Sequence, residues 1–347
     1  LSCPHTRDTD AMTFGPLATT SVGSFPRPTW LAHTKRNQLT YRLDGDELKE
    51  AMDDAMELVI REQEELGLDI LTDGEMRRTT FVFHIAGRWD GIDIERQVNK
   101  QIYRNREANR MVPRIVGKIV RNKASAVDDL RTAKTHTARP IKMAVPGPMT
   151  VIDSSANEFY QDEEELAFDV ATALNGELRD LQAAGADVLQ LDEPAMTRYH
   201  DKVRAYGAKA LDRCLEGITV PTIVHLCYGY PGGGSLQHQY HYEGVLPALM
   251  QTRICGFHVE FGRSTFDPKV LRLCGDRIVM FGCIDPGDSP VPAIAAVERR
   301  IGELLDVVDP KQVWLAPDCG LMTISRAMAH DKLAVMVEAA HRLRAKL

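Results

Sequence analysis

A histidine and a cysteine two residues apart, His225 and Cys227, lie in the apolar run TIVHLCY. Glu260 closes a second such run, ICGFHVEF, and Cys319 closes a third, QVWLAPDC. On a strand, side chains at i and i+2 point the same way, so His225 and Cys227 face one side. Two thiolates, one imidazole and one carboxylate form a donor set that zinc accepts in a tetrahedral site and that hard cations such as magnesium do not select. Cys283 also closes an apolar run, and stands as a replacement for Glu260 or as a neighbour just outside the ligands. Cys214 and Cys274 fall on helical stretches, Cys255 at the start of a run and Cys3 near the N-terminus. The first three of these suit burial as small apolar residues. Zinc held by two thiolates is less electrophilic than the imidazole-rich zinc of hydrolases. It suits the capture of an incoming thiol, which in water has a pKa of about 8.5 and is mostly protonated at neutral pH. The chemistry expected is alkyl transfer to a substrate sulfur.

A second cluster is acidic. Glu75 lies in TDGEM, and Asp192 and Glu193 lie in LDEP. Carboxylates beside a thiol site can hold an ammonium group, move a proton, or cap a helix. Capping is a competing reading for Glu193, which Pro194 follows. Ser24, in VGSFPRP, can donate to a carboxylate. Ser24, Glu75 and Asp192 together describe a pocket for an amino acid bearing a thiol. A thiol bearing a sulfonate would instead need cations, for which Arg27, Arg77, Arg78 and Arg263 are the candidates.

These residues need a scaffold that brings distant segments to one mouth. Eight short apolar runs recur, at 17–24, 68–73, 141–147, 186–193, 222–228, 254–261, 277–284 and 312–319. Their near-continuous apolarity suits parallel strands covered on both faces. Helical patterns lie between them. Asp44 stands at the start of one in which Leu48, Met52, Ala55 and Val59 share a face, with Gly67 as its stop. Others cover 163–184, 198–216, 242–251, 268–274, 292–308 and 325–345. Eight strand-then-helix units predict an α/β fold of the (β/α)₈ TIM-barrel type, with the candidate residues at strand C-terminal ends, where barrel active sites form. An open doubly wound sheet is the second choice, weakened by the lack of a Gly-rich dinucleotide fingerprint. The stretch 77–140 is about one unit too long and reads as an elaborated, partly helical insertion between the second and third strands. A Gly-rich stretch at 228–244 reads as a lid, an oligomer contact or a plain loop. Residues 1–14 read as a flexible leader, with Met12 as a candidate start, and 15–347 as a single barrel domain.

The 347 residues are 44% hydrophobic and 26% charged, which excludes a mainly disordered chain. The net charge of −7 argues against a general nucleic-acid binder. No apolar run reaches the roughly 18 residues of a membrane span. The widely spaced cysteines fit reduced thiols in the cytoplasm, and a homo-oligomer is compatible with everything above.

The segments TTSVGSFPRP, LTDGEMRR, VPGPMT, LQLDEPA, HLCYG, HVEFGRS and WLAPDCGL, in this order, resemble the catalytic domain of cobalamin-independent methionine synthases from about Thr19 to the C-terminus. The resemblance implies a (β/α)₈ barrel with zinc (Zn2+) ligands at His225, Cys227, Glu260 and Cys319, and homocysteine contacts at Ser24, Glu75 and Asp192. The implied activity is a zinc-dependent methyltransferase that makes methionine from homocysteine, of the 5-methyltetrahydropteroyltriglutamate–homocysteine methyltransferase kind. Long members of the family carry a second, N-terminal barrel that helps bind polyglutamyl folate, and 347 residues hold only one barrel. Where those enzymes have a histidine thought to protonate the departing folate, this chain reads GCIDPGDSP, with Asp288 as a substitute acid. The methyl donor is therefore expected to be a folate or a corrinoid protein, and not necessarily polyglutamyl folate. Short relatives also include enzymes that add coenzyme M to epoxides over a similar zinc site, which is the alternative activity. A non-catalytic protein that retains zinc or carries a thiol is a third reading.

Overall fold

A computed structural model describes residues 14–35, 38–102, 109–228, 242–264 and 266–347. The apolar runs pair in parallel in the order Ala18–Thr19, Val313–Pro317, Ile278–Ile284, Gly256–Glu260, Thr222–His225, Val188–Asp192 and Lys142–Pro146. Isolated parallel bridges from Thr20 to Ile70 and from Leu71 to Ile141 insert an eighth, very short stave between the two edges. The ring closes, as the sequence predicts.

Alternation along each stave sorts the side chains. One set faces inward, where Ala18, Ile70, Val188, Ile223, Ile278, Met280, Trp314 and Ala316 form a buried apolar plug. The other set faces the surrounding helices in the main core. On one stave the inward series runs Val188, Gln190, Asp192, so the interior changes from apolar to polar toward the strand C-termini. Phe14 packs edge-on against Trp314, with ring centroids 5.4 Å apart. The rest of the expected leader lies outside the described residues.

The helices follow the sequence pattern with instructive exceptions. Helix Gly45–Leu66 buries Met52, Ala55, Met56, Val59 and Ile60 and stops at Gly67, whose φ of 83° favours glycine. Asp44 occupies the N-cap position without a side-chain cap hydrogen bond. The expected helix at 268–274 is a 3-10 helix. The helix after the fourth stave carries a π turn at Val203–Gly207. The insertion differs most from expectation. Between helices Phe81–Ala86 and Val127–Thr135, two twelve-residue strands, Asp90–Gln101 and Asn109–Val120, form a long antiparallel ribbon. The first strand is mostly polar and the second mixes buried Val112, Ile115 and Ile119 with exposed Met111, Val116 and Val120, so neither carries a clean apolar alternation that could reveal it in the sequence. Most of the Gly-rich stretch, 229–241, lies outside the described residues.

Candidate metal centre and substrate cavity

His225 and Glu260 are the last residues of their staves, and Cys227 and Cys319 each lie two residues beyond the end of a stave. One ligand atom from each of the four lies within 4.8 Å of all the others. The two sulfurs are 3.7 Å apart, and His225 Nε2 is 3.5 Å from Glu260 Oε1. A tetrahedron with sulfur at about 2.3 Å and nitrogen or oxygen at about 2.0–2.1 Å from zinc has edges of about 3.8 Å and 3.3–3.4 Å. The two measured edges match that spacing.

Hydrogen bonding supports the same fit. His225 and Glu260 are 2% and 1% exposed, yet neither ring nitrogen of His225 and neither carboxylate oxygen of Glu260 makes a hydrogen bond. Buried polar atoms without hydrogen-bond partners carry a desolvation cost, which a shared cation would relieve at the Glu260 carboxylate and at one nitrogen of His225. Burial, reinforced by the neighbouring Cys227, pushes the Glu260 carboxyl well above its usual range. The Cys319 sulfur and burial push the Cys227 thiol up. Burial pulls His225 down, but Asp192, Cys227 and Glu260 outweigh it and raise the imidazole. A divalent cation among these groups would favour the ionised carboxylate and thiolate and the neutral imidazole.

The open question at Cys283 has a geometric answer. Its thiol is buried and directed at the Ala316 carbonyl, 3.7 Å away, and it does not join the four donors. Cys214 and Cys274 are buried free thiols. Cys255 is buried beside the start of the stave Gly256–Glu260, and Cys3 lies outside the described residues.

Three residues not singled out in the sequence support the ligands. His258 packs against His225 with ring centroids 4.3 Å apart and the rings tilted by 55°. Burial, together with His225 and Lys142, drives its pKa well down. The neutral ring thus points Nε2–H at the Pro317 carbonyl, 3.0 Å away. The Asp318 carboxylate accepts from the backbone N–H groups of Phe261, Gly262 and Arg263, which ties the Cys319 segment to the segment after Glu260. The Glu260 backbone N–H donates to the Tyr242 hydroxyl at 2.7 Å.

A cavity of about 390 Å³ opens beside the cluster, and Ser24, Glu75, Asp192, His225, Cys227 and Cys319 all line it. Ser24 has room because residue 320 is glycine; a Cβ there would lie 2.0 Å from the Ser24 hydroxyl. Glu75 adopts a φ of +57°, rare for a residue with a side chain. Burial pushes its carboxyl up to about 7; Arg78 and Arg27 oppose that rise, and Asp73 and Asp192 add to it. Asp192 Oδ1 accepts from Gln190 Nε2 at 2.7 Å and lies 3.6 Å from His225 Nδ1.

The remaining candidates have other positions. Glu193 is a helix cap, though of the helix after the neighbouring stave: it accepts from the Met149 and Thr150 backbone N–H groups at 2.9 and 3.0 Å and from the Thr150 hydroxyl. Arg27 donates to the Phe25, Glu75 and Arg78 carbonyls, and Arg78 to the Ala144 carbonyl. Both line the cavity. Arg77 pairs with Asp53 instead, and Arg263 is not among the lining residues. Asp288 is exposed, and the structure does not bring it to the cavity. Lys142, also unanticipated, is wholly buried, and burial lowers its amine to about 7 against the pull of Asp192, Glu75 and Asp73.

A barrel whose mouth gathers two thiols, an imidazole and carboxylates beside an acidic cavity defines a narrow class of thiol-handling folds. Sequence comparison places the chain within that class. The family model described as the catalytic domain of cobalamin-independent synthase matches residues 17–342, and the chain belongs to this family. It is 31% identical to a methionine synthase of Sulfolobus acidocaldarius over 93% of this chain and 91% of that one. It is 32% identical to a methionine synthase of Sulfurisphaera tokodaii over 95% and 94%. The fold matches a B12-independent methionine synthase from Shewanella sp. W3-18-1, solved with selenomethionine, at a TM-score of 0.90, with 32% identity and coverage of 95% and 98%. A putative vitamin-B12-independent methionine synthase from Listeria monocytogenes, at 21% identity and a TM-score of 0.73, shares the fold.

Proposed function

We propose that the protein is a zinc-dependent methyltransferase that converts homocysteine to methionine. The observation that carries this reading is the convergence of four mutually close donors, three buried and Cys319 half-buried, with His225 and Glu260 lacking hydrogen-bond partners, on a cavity that also holds Ser24, Glu75 and Asp192. His225, Cys227, Glu260 and Cys319 would hold the metal. Zinc bound there supplies acidity to a coordinated thiol, whose pKa in water is about 8.5. Glu75 and Asp192 accept from the substrate ammonium, and the Ser24 hydroxyl donates to its carboxylate. These contacts aim the substrate sulfur at the metal and leave one face open to a methyl carbon. In the transfer the sulfur–methyl bond forms, the donor–methyl bond breaks with its electron pair staying on the donor, and the thiol proton leaves. The family membership supports this chemistry, as does the selenomethionine bound by the Shewanella relative.

The donor is a methylated folate or a methylated corrinoid, the latter carried by a partner protein. Coenzyme M addition to an epoxide is the weaker reading, because the two cavity arginines, Arg27 and Arg78, already donate to backbone carbonyls. The test is incubation of zinc-loaded protein with homocysteine and each donor class in turn. Methionine formation with at least one donor is expected. Absence of methionine with every donor, alongside turnover of coenzyme M with an epoxide, would overturn the proposal.

A further inference from the structure

We propose that Lys142 is a positioning residue for the amino-acid end of the substrate, acting through the side-chain amide of Gln190. The inference rests on reading the cavity as an amino-thiol site. Lys142 and Gln190 stand on adjacent staves, and both are wholly buried. Lys142 Nζ donates to the Gln190 Oε1 and, at 2.9 Å, to the Val22 carbonyl. The other end of the amide, Nε2, donates to that same Val22 carbonyl at 3.0 Å and to Asp192 Oδ1 at 2.7 Å.

An amide has one accepting end and one donating end, so the contact with Lys142 decides which end meets Asp192. In the flipped amide, Oε1 would face a carboxylate oxygen and a carbonyl oxygen, acceptor against acceptor, in a buried place where neither is solvated. Lys142 therefore selects the sense of the amide. The consequence reaches both sides of the pocket. Asp192 lies on the ammonium side. Val22 leads directly into Gly23 and Ser24 on the carboxylate side, and Val22 and Ser24 both line the cavity. One buried amine thus fixes the distance between the two recognition points without a hydrogen bond to any of the four candidate metal ligands.

The test compares ligands that share a thiol but differ in the amino-acid group. Cobalt-substituted protein is titrated with L-homocysteine and with 2-mercaptoethanol, following the cobalt–thiolate absorption. Metal-free protein is titrated with L-methionine by calorimetry. For Lys142→Met we expect one cobalt per chain as in the unaltered protein, homocysteine and methionine binding weakened roughly tenfold or more, and 2-mercaptoethanol binding nearly unchanged. Gln190→Leu, which keeps a similar volume, provides the same test should Lys142→Met fold poorly. The double variant should bind homocysteine no more weakly than the weaker single variant, since both act through one contact. Equal losses for homocysteine and 2-mercaptoethanol, or no loss for either, would overturn the positioning role. If the unaltered protein binds 2-mercaptoethanol but neither amino acid, the homocysteine reading falls as well. If it binds both and Lys142→Met changes nothing, only the role of Lys142 falls.

Discussion

Glu75 carries a conflict between stability and binding. Its carboxyl, buried beside Asp73 and Asp192, ionises only at about 7, against an ordinary value of 4.5. The folded chain holds that proton more tightly than the unfolded chain does. The group's contribution therefore becomes less favourable as pH rises from about 4.5 to 7, and its full cost, a few kcal/mol at most, is present above 7. An ammonium partner needs the ionised form, so affinity for homocysteine should rise as pH increases through about 7. Glu75→Gln, neutral at every pH, should raise the melting temperature at pH 8 by roughly 2–4 °C and leave it unchanged at pH 5. The same variant should weaken homocysteine binding at least about tenfold at pH 8. Calorimetry at the two pH values checks both. Equal melting shifts at pH 5 and pH 8 would contradict the burial account.

At this scale much of the site was legible because the ligand types are chemically narrow and fall at strand ends. Lys142 was legible in principle: a lysine inside the apolar run IKMAVPG implies a buried, partnered amine. His258 and Asp318 were not, since their value lies in contacts with residues 33 and 55 or more positions away. Asp288, chosen for its type and for the lack of a histidine nearby, illustrates the limit of that reasoning: its side chain is exposed.

Elements hold the site through their ends. The loop after the eighth stave places Gly320 against Ser24 so closely that Gly320→Ala should displace the hydroxyl. The expected effect is a loss of roughly tenfold in homocysteine affinity with metal content intact, measured by titration and elemental analysis. Unchanged affinity would mean that the Ser24 hydroxyl does not touch the substrate. Glu193 acts on a helix end. Removing its carboxylate in Glu193→Ala leaves the Met149 and Thr150 N–H groups of helix Pro148–Asp153 unpartnered. A loss of about 1–3 kcal/mol in urea unfolding is expected, and it should be equal with and without metal. Staves and flanking helices could be read from apolar runs and 3.6-residue periodicity. The ribbon Asp90–Gln101 and Asn109–Val120 could not, because its first strand is polar and largely exposed, its second breaks apolar alternation, and its register is set by the pairing of the two. The 3-10 form at Pro268–Cys274 depends on packing that periodicity does not encode.

The molecule as a whole separates scaffold from chemistry. The apolar plug and the main core lie below and around the mouth, and neither needs a metal to be filled. Cys227→Ser should therefore release the metal and lower methyl transfer at least about 100-fold, while thermal unfolding moves by only a few degrees. Global unfolding of that variant, seen by circular dichroism, would make the metal structural. Among the described residues no helix is long and apolar enough to cross a membrane. The most direct test of the central claim is X-ray absorption at the zinc edge on protein purified without chelators. The four donors include two sulfurs, so the spectrum should show two sulfur neighbours in the resting protein and three once homocysteine is added. Absence of zinc, or a sulfur count that homocysteine leaves unchanged, would contradict the account.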